Sequence, residues 1–169
     1  METNSSINTA TLTHLSALTQ YFFPFGNFIF PIIIWSASKK NSDYVDHHGR
    51  QIINFQLSMF LYTVALAVIA IPILLFTIFK NVPFTDIVDG NENIDGFSPA
   101  NISGIVVIAI VAVLVWFFMK VAEFFLIINA SVQAANGVRY KYPLTINFLG
   151  SVEEAAPLEP EVPLEPQQP

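Results

Sequence analysis

Residues 55–79 read FQLSMFLYTVALAVIAIPILLFTIF, and residues 102–119 read ISGIVVIAIVAVLVWFFM. Neither run contains an Asp, Glu, Lys or Arg. A helix rises about 1.5 Å per residue and the hydrocarbon core of a bilayer is about 30 Å thick, so roughly twenty apolar residues cross it. Both runs are of that order, and Phe22 to Trp35 forms a third, shorter apolar stretch. The expected fold is an all-α integral membrane protein, a small helical bundle.

Composition points the same way. Of 169 residues, 53% are hydrophobic and 12% charged, against about 25% charged in soluble domains. Mean hydropathy is +0.55. The net charge of −6 is not one surface property. Glu153, Glu154, Glu159, Glu161 and Glu165 lie near the C-terminus, and Asp86, Asp89, Glu92 and Asp95 lie between the two long runs. No basic patch suggests nucleic acid. The lack of cysteine excludes disulfides, thiolate metal sites and thiol catalysis. The first twenty residues lack the basic and apolar regions of a cleavable signal, so a spanning helix is expected to serve as the targeting signal.

Working outward, residues 1–8 are a polar end, and residues 9–23 suit a helix with Leu12, Leu15, Leu18 and Phe22 along one side. Pro24-Phe25-Gly26-Asn27 follows. It favours a broken first membrane segment, two short helices (9–23 and 27–38), over one span kinked at Pro24. Asn27 is the expected N-cap, and Pro31 is expected in the first turn, where a missing N–H costs little. Two long transmembrane helices are expected over 44–79, kinked near Pro72, and over 101–136, capped by Gly137. The membrane domain thus covers 9–146. Residues 147–169 form an acidic, proline-rich tail in which Pro-Leu-Glu-Pro occurs at 157 and again at 163, a composition that stays extended and disordered.

Basic residues set the expected orientation. Lys39, Lys40, Arg50, Arg139 and Lys141 fall on one side and Lys80 on the other. The first group should face the cytoplasm, which puts loop 81–100 outside and the C-terminus inside a bacterial cytoplasmic (inner) membrane. The N-terminus has no basic residue to place it, although a hairpin of two short helices would bring it inside.

Polar chemistry is concentrated where the first long helix begins. At 100° per residue, Asp43, Asp46, His47, Arg50, Gln51, Asn54 and Ser58 form one stripe running towards the membrane. Polar groups at that depth either hydrogen-bond neighbouring helices or line a wet path, and the sequence leaves both open. Asp43 and His47, with His14, could approach one metal ion, but no further spacing supports that, and an ion pair is the simpler expectation. No phosphate loop, zinc-protease pattern or nucleophile elbow is present. The chain is therefore expected to be non-catalytic, without cofactor or metal. On the last helix Lys120 and Glu123, three residues apart, can pair in an apolar setting. Asn129, Gln133 and Asn136 lie on roughly the opposite face, and Ala130 and Ala134 permit close helix approach.

His14-Leu15-Ser16, Pro31 with Ile34-Trp35, His47-His48-Gly49-Arg50-Gln51 leading into Asn54-Phe55-Gln56, and Gly137 with Tyr140 and Tyr142-Pro143 occur in that order. Over about residues 10–146 they resemble a bacterial family of unknown function (DUF4870), itself similar to the Tic20 component of the chloroplast inner-envelope import machinery. The resemblance implies a small helical membrane domain with both termini on one side. It also implies association with other membrane proteins in translocation or envelope assembly, with homo-oligomerisation left open. A small transporter or channel that uses the polar stripe as its pathway is the alternative.

Overall fold

A computed structural model describes residues 2–81 and 99–150. The acidic stretch between the long helices and the proline-rich tail, with the expectations attached to them, lie outside these residues. Among those described, the chain is all-helical. It comprises α1 (Asn4–Ser16), a 3₁₀ turn (Ala17–Tyr21), α2 (Gly26–Ser38), α3 (Asp43–Asn81) and α4 (Pro99–Ala135).

α1 starts at Asn4, earlier than its apolar spacing suggests, because the Thr3 side chain accepts from the Ser6 N–H and caps the helix. The first membrane segment is broken where expected, but by a different device. Phe25 takes the N-cap position in a left-handed conformation (φ 61°) and makes no side-chain cap bond. Asn27 lies inside α2, and its side-chain amide donates to Gln56 Oε1 on α3 at 2.7 Å. An amide freed from capping is thus used to join two helices. Pro31 sits beyond the first turn and is buried, and α3 continues through Pro72.

The apolar side of α1 faces outward. Leu12 and Leu15 are exposed, as is Phe22 beyond it, whereas Ala10, Thr13, His14 and Ala17 are buried. In membrane bundles small and hydrogen-bonding residues take the helix contacts, and here the leucines of α1 are left on the outside.

The core occupies one end of the molecule. Residues 43–59 of α3 pack against α1, α2 and the last turns of α4, with Ile52, Phe55, Ile127, Ala130 and Tyr142 at the centre. Beyond this core α3 and α4 run on together, and their side chains there are largely exposed: Phe60, Val68, Ile69 and Phe76 on one, Val107, Val113, Leu114 and Phe118 on the other. A soluble protein does not leave an apolar surface of that extent uncovered. The helices suit hydrocarbon, and the 39 residues of α3, about 58 Å long, exceed what one bilayer crossing needs.

Two glycines fix the geometry. The indole of Trp35 lies against Gly49, where a Cβ would stand 2.0 Å from the ring. α4 ends in a Schellman turn at Gly137 (φ 76°), with the Gly137 N–H donating to Ala134 O and the Val138 N–H to Gln133 O. Past it, residues 138–150 turn back along the bundle. Glu2 Oε1 stands 4.0 Å from Arg139 Nη2, so the chain's start and the exit of α4 share one end of the molecule.

Gly49→Ala should destabilise the protein by about 1–3 kcal/mol through overpacking against Trp35. Thermal unfolding in detergent measures this, and an unchanged midpoint would mean that the indole has room to move.

Candidate functional site

The polar stripe of α3 meets backbone. Residues 140–149 lie against α3, run out along it, turn at Pro143–Leu144 (Leu144 φ 55°) and come back, and their main-chain groups find partners along the helix. The Tyr142 N–H donates to Gln51 Oε1 (3.4 Å), the Ile146 N–H to Ser58 Oγ (2.9 Å) and the Leu149 N–H to Asn54 Oδ1 (2.9 Å). Arg50 donates to the Leu149 carbonyl (2.7 Å), Tyr62 to the Leu144 carbonyl (2.7 Å), and His47 Nε2 is 3.1 Å from the Tyr140 carbonyl. Arg50 also pairs with Asp46 (2.9 Å), whose other oxygen accepts from the Trp35 indole (2.7 Å), so α2, α3 and the returning segment meet at one carboxylate. Bonds to the returning segment thus occupy His47, Arg50, Gln51, Asn54 and Ser58.

Next to the stripe, the three histidines of the chain gather. His14 Nδ1 is 2.9 Å from the Tyr142 hydroxyl, and His14 Nε2 is 2.8 Å from His48 Nδ1. His47 stacks edge-on against His48, and Tyr142 lies flat on Phe55 with ring centres 4.1 Å apart. If the tyrosine donates, His14 carries its proton on Nε2 and passes a hydrogen bond to His48. The chain ends at His48 Nε2, buried without a well-formed hydrogen bond, with the Val138 carbonyl facing the ring. Burial, reinforced by His48 and His47, holds His14 well below the usual imidazole range, and burial raises the Tyr142 hydroxyl well above its own. Two imidazoles bonded to each other leave no lone pair convergent on an ion, and among the described residues no group of three His, Cys, Asp or Glu could hold a metal. His14 and His48 stand in motifs that the sequence displays, but their contact with Tyr142 was not legible, because that tyrosine is 128 residues from His14.

A second polar cluster sits at the tip of the α1–α2 hairpin. Glu123 is fully buried and accepts from Lys120 (2.7 Å) and from Gln20 (2.9 Å). Gln20 was not foreseeable from helical spacing, since it comes from the 3₁₀ turn rather than from α4. Asn129 is exposed and Gln133 half-buried, so the structure does not bring them into either cluster.

Residues 5–149 match the model of the magnetosome magnetite crystal formation protein family, MamF/MmsF. The chain belongs to this family. It is a small integral membrane protein of a family involved in magnetite crystal formation. The match overturns the resemblance to DUF4870 and Tic20. The short motifs behind that resemblance are the His14–His48–Tyr142 contacts, the glycine under Trp35 and the Schellman cap, all required by this packing and too short to assign a family. No curated protein and no solved structure matches the chain.

Replacing Asn54 with Leu removes the acceptor for the Leu149 N–H and should cost about 1–3 kcal/mol. Hydrogen exchange at Leu149 and its neighbours should rise selectively, and unchanged protection there would remove Asn54 from the docking track. Acidity gives a second test. His14 is neutral when folded, but an unfolded histidine titrates near about 6.5. The unfolded chain therefore binds the extra proton, and stability present above about pH 6.5 falls as pH drops below it. The unfolding midpoint should be flat from pH 7 to 8, decline towards pH 5, and decline less in His14→Gln. A flat wild-type curve would show that His14 is solvated.

Proposed function

We propose that this protein is a non-catalytic component of the membrane surrounding a growing magnetite crystal, and that it acts on the mineral through the acidic stretch between α3 and α4. The family match over residues 5–149 carries this reading. Charge distribution supports the placement. Asp86, Asp89, Glu92 and Asp95 follow the end of α3, whereas Lys39, Lys40, Arg50, Arg139 and Lys141 cluster at the core end. With the basic end cytoplasmic, the acidic stretch would face the compartment lumen. Carboxylate oxygens suit hard cations, and four carboxylates between two membrane helices would offer iron or a crystal face groups to bind.

The core fits a structural role. The stripe that could have lined a pathway holds the returning segment instead, which favours a scaffold over a transporter or channel. The exposed outer lengths of α3 and α4 leave room for other membrane proteins, further copies included.

In a magnetite-forming host lacking this gene, the wild-type chain should restore crystal size in electron micrographs. A variant with Asp86, Asp89 and Asp95 changed to Asn and Glu92 to Gln should reach the membrane yet leave crystals altered. Full complementation by that variant would remove the acidic stretch from the mechanism, and normal crystals without the chain would remove the protein.

A further inference from the structure

Among the described residues three buried side-chain nitrogens lack a hydrogen-bond partner, His48 Nε2, Asn54 Nδ2 and Gln56 Nε2, and of these Gln56 lies beside a cavity. Gln56 is fully buried on α3; its carbonyl oxygen accepts from Asn27, but its Nε2 has no hydrogen-bond partner. Gln56 is one of the residues around a cavity of about 230 Å³, with Gln20, Asn27, Thr63 and Lys120. The cavity offers hydrogen-bond donors: the free Gln56 amide and the Lys120 ammonium, which uses one of its three N–H groups on Glu123. A low-dielectric site strongly disfavours an empty donor, so the matching occupant is an acceptor oxygen.

The second observation is next door. Gln20 and Lys120 also border a larger groove of about 840 Å³, walled by Tyr21, Trp116, Phe117, Phe124 and Phe125. The groove is almost wholly apolar, opens on the outer surface of α4, and meets the donor cavity at the two side chains they share. Position along the helices completes the picture. Lys120 stands twenty-one residues from Pro99, about 31 Å along α4, and Phe60 stands twenty from Lys80, about 30 Å along α3. With the Lys80 and Pro99 ends at one membrane face, the donor cavity falls one hydrocarbon thickness away, at the depth of phosphate and ester oxygens. The α1–α2 hairpin is then an interfacial element with Ile29, Phe30 and Ile33 towards the acyl chains.

We propose that the joined cavity and groove bind one phospholipid. Its phosphate or glycerol ester oxygen takes the Gln56 amide and the Lys120 ammonium, and an acyl chain lies along Trp116, Phe117 and Phe125. The lipid fastens the hairpin tip to α4, because Gln20 and Tyr21 come from the tip and the aromatic wall from the helix.

The test uses the full chain purified in detergent, delipidated, then exposed to vesicles of phosphatidylglycerol, with bound lipid read by native mass spectrometry. One phospholipid per chain is expected to remain through washing. Gln56→Leu should lower retention by about tenfold. Trp116→Ala, on an exposed surface, should lower it by about threefold without moving the unfolding midpoint, which keeps the test valid should Gln56→Leu misfold. Lys120→Arg should retain the lipid. Equal retention in wild type, Gln56→Leu and Trp116→Ala would overturn the proposal. So would displacement of the lipid by inorganic phosphate alone, which marks a free-anion site. Crosslinking between copies through a cysteine placed at Phe117, with no lipid bound, would assign the groove to a second copy and equally overturn it.

Discussion

A chain without regular structure laid against a helical bundle must find a partner for each N–H and C=O it buries, because an unpaired buried group costs free energy comparable to a lost hydrogen bond. In this protein residues 140–149 create that obligation and α3 discharges it. Gln51, Asn54 and Ser58 accept from the backbone, while Arg50 and Tyr62 donate to it. The rest of the packing depends on this. Tyr142 reaches His14 and stacks on Phe55 only because the segment bearing it is held against the helix. Trp35 seats on Gly49 beside the carboxylate that also orients Arg50.

A consequence is that this molecule is polar within and apolar without over much of its length. The buried side chains include Thr13, His14, His48, Gln51, Asn54, Gln56, Ser58 and Glu123, while phenylalanine, isoleucine and valine crowd the exposed lengths of α3 and α4. Membrane helices gain little from burying leucine, since a leucine in lipid is already in an apolar solvent, so directional bonds and close backbone approach hold the bundle. Each such bond is worth roughly 1 kcal/mol. The core is therefore stabilised by many modest terms, each with a strict geometry.

This explains which parts of the structure could be read in the sequence. The two long helices, the break after Phe23 and the glycine cap at 137 are local properties of length, composition and turn chemistry, and all are present. The stripe on α3 was visible as a stripe, but its partner was not. Residues 140–149 have no helical or strand period, and their hydrogen-bonding atoms are main-chain atoms, which every sequence possesses. α1 misled for a related reason: Leu12 and Leu15 mark a face correctly, but the spacing does not say whether that face is inner or outer, and here it is outer. Glu123 was recognisable as the partner of Lys120, yet Gln20, its other donor, lies more than a hundred positions away.

The bond between His14 and Tyr142 also carries a temporal implication. The ribosome releases α1 early, and His48 can meet His14 soon after, yet the tyrosine that satisfies its Nδ1 emerges among the last residues of the membrane domain. Until then the Nδ1 of His14 on the amino-terminal hairpin lacks its partner. Contacts of such long sequence separation form late and slowly. Completion of the core is thus a terminal event in the making of the chain, and a polypeptide released before Tyr142 would keep its first helix against α3 and α4 but leave the hydrogen-bond chain through His14 open at one end.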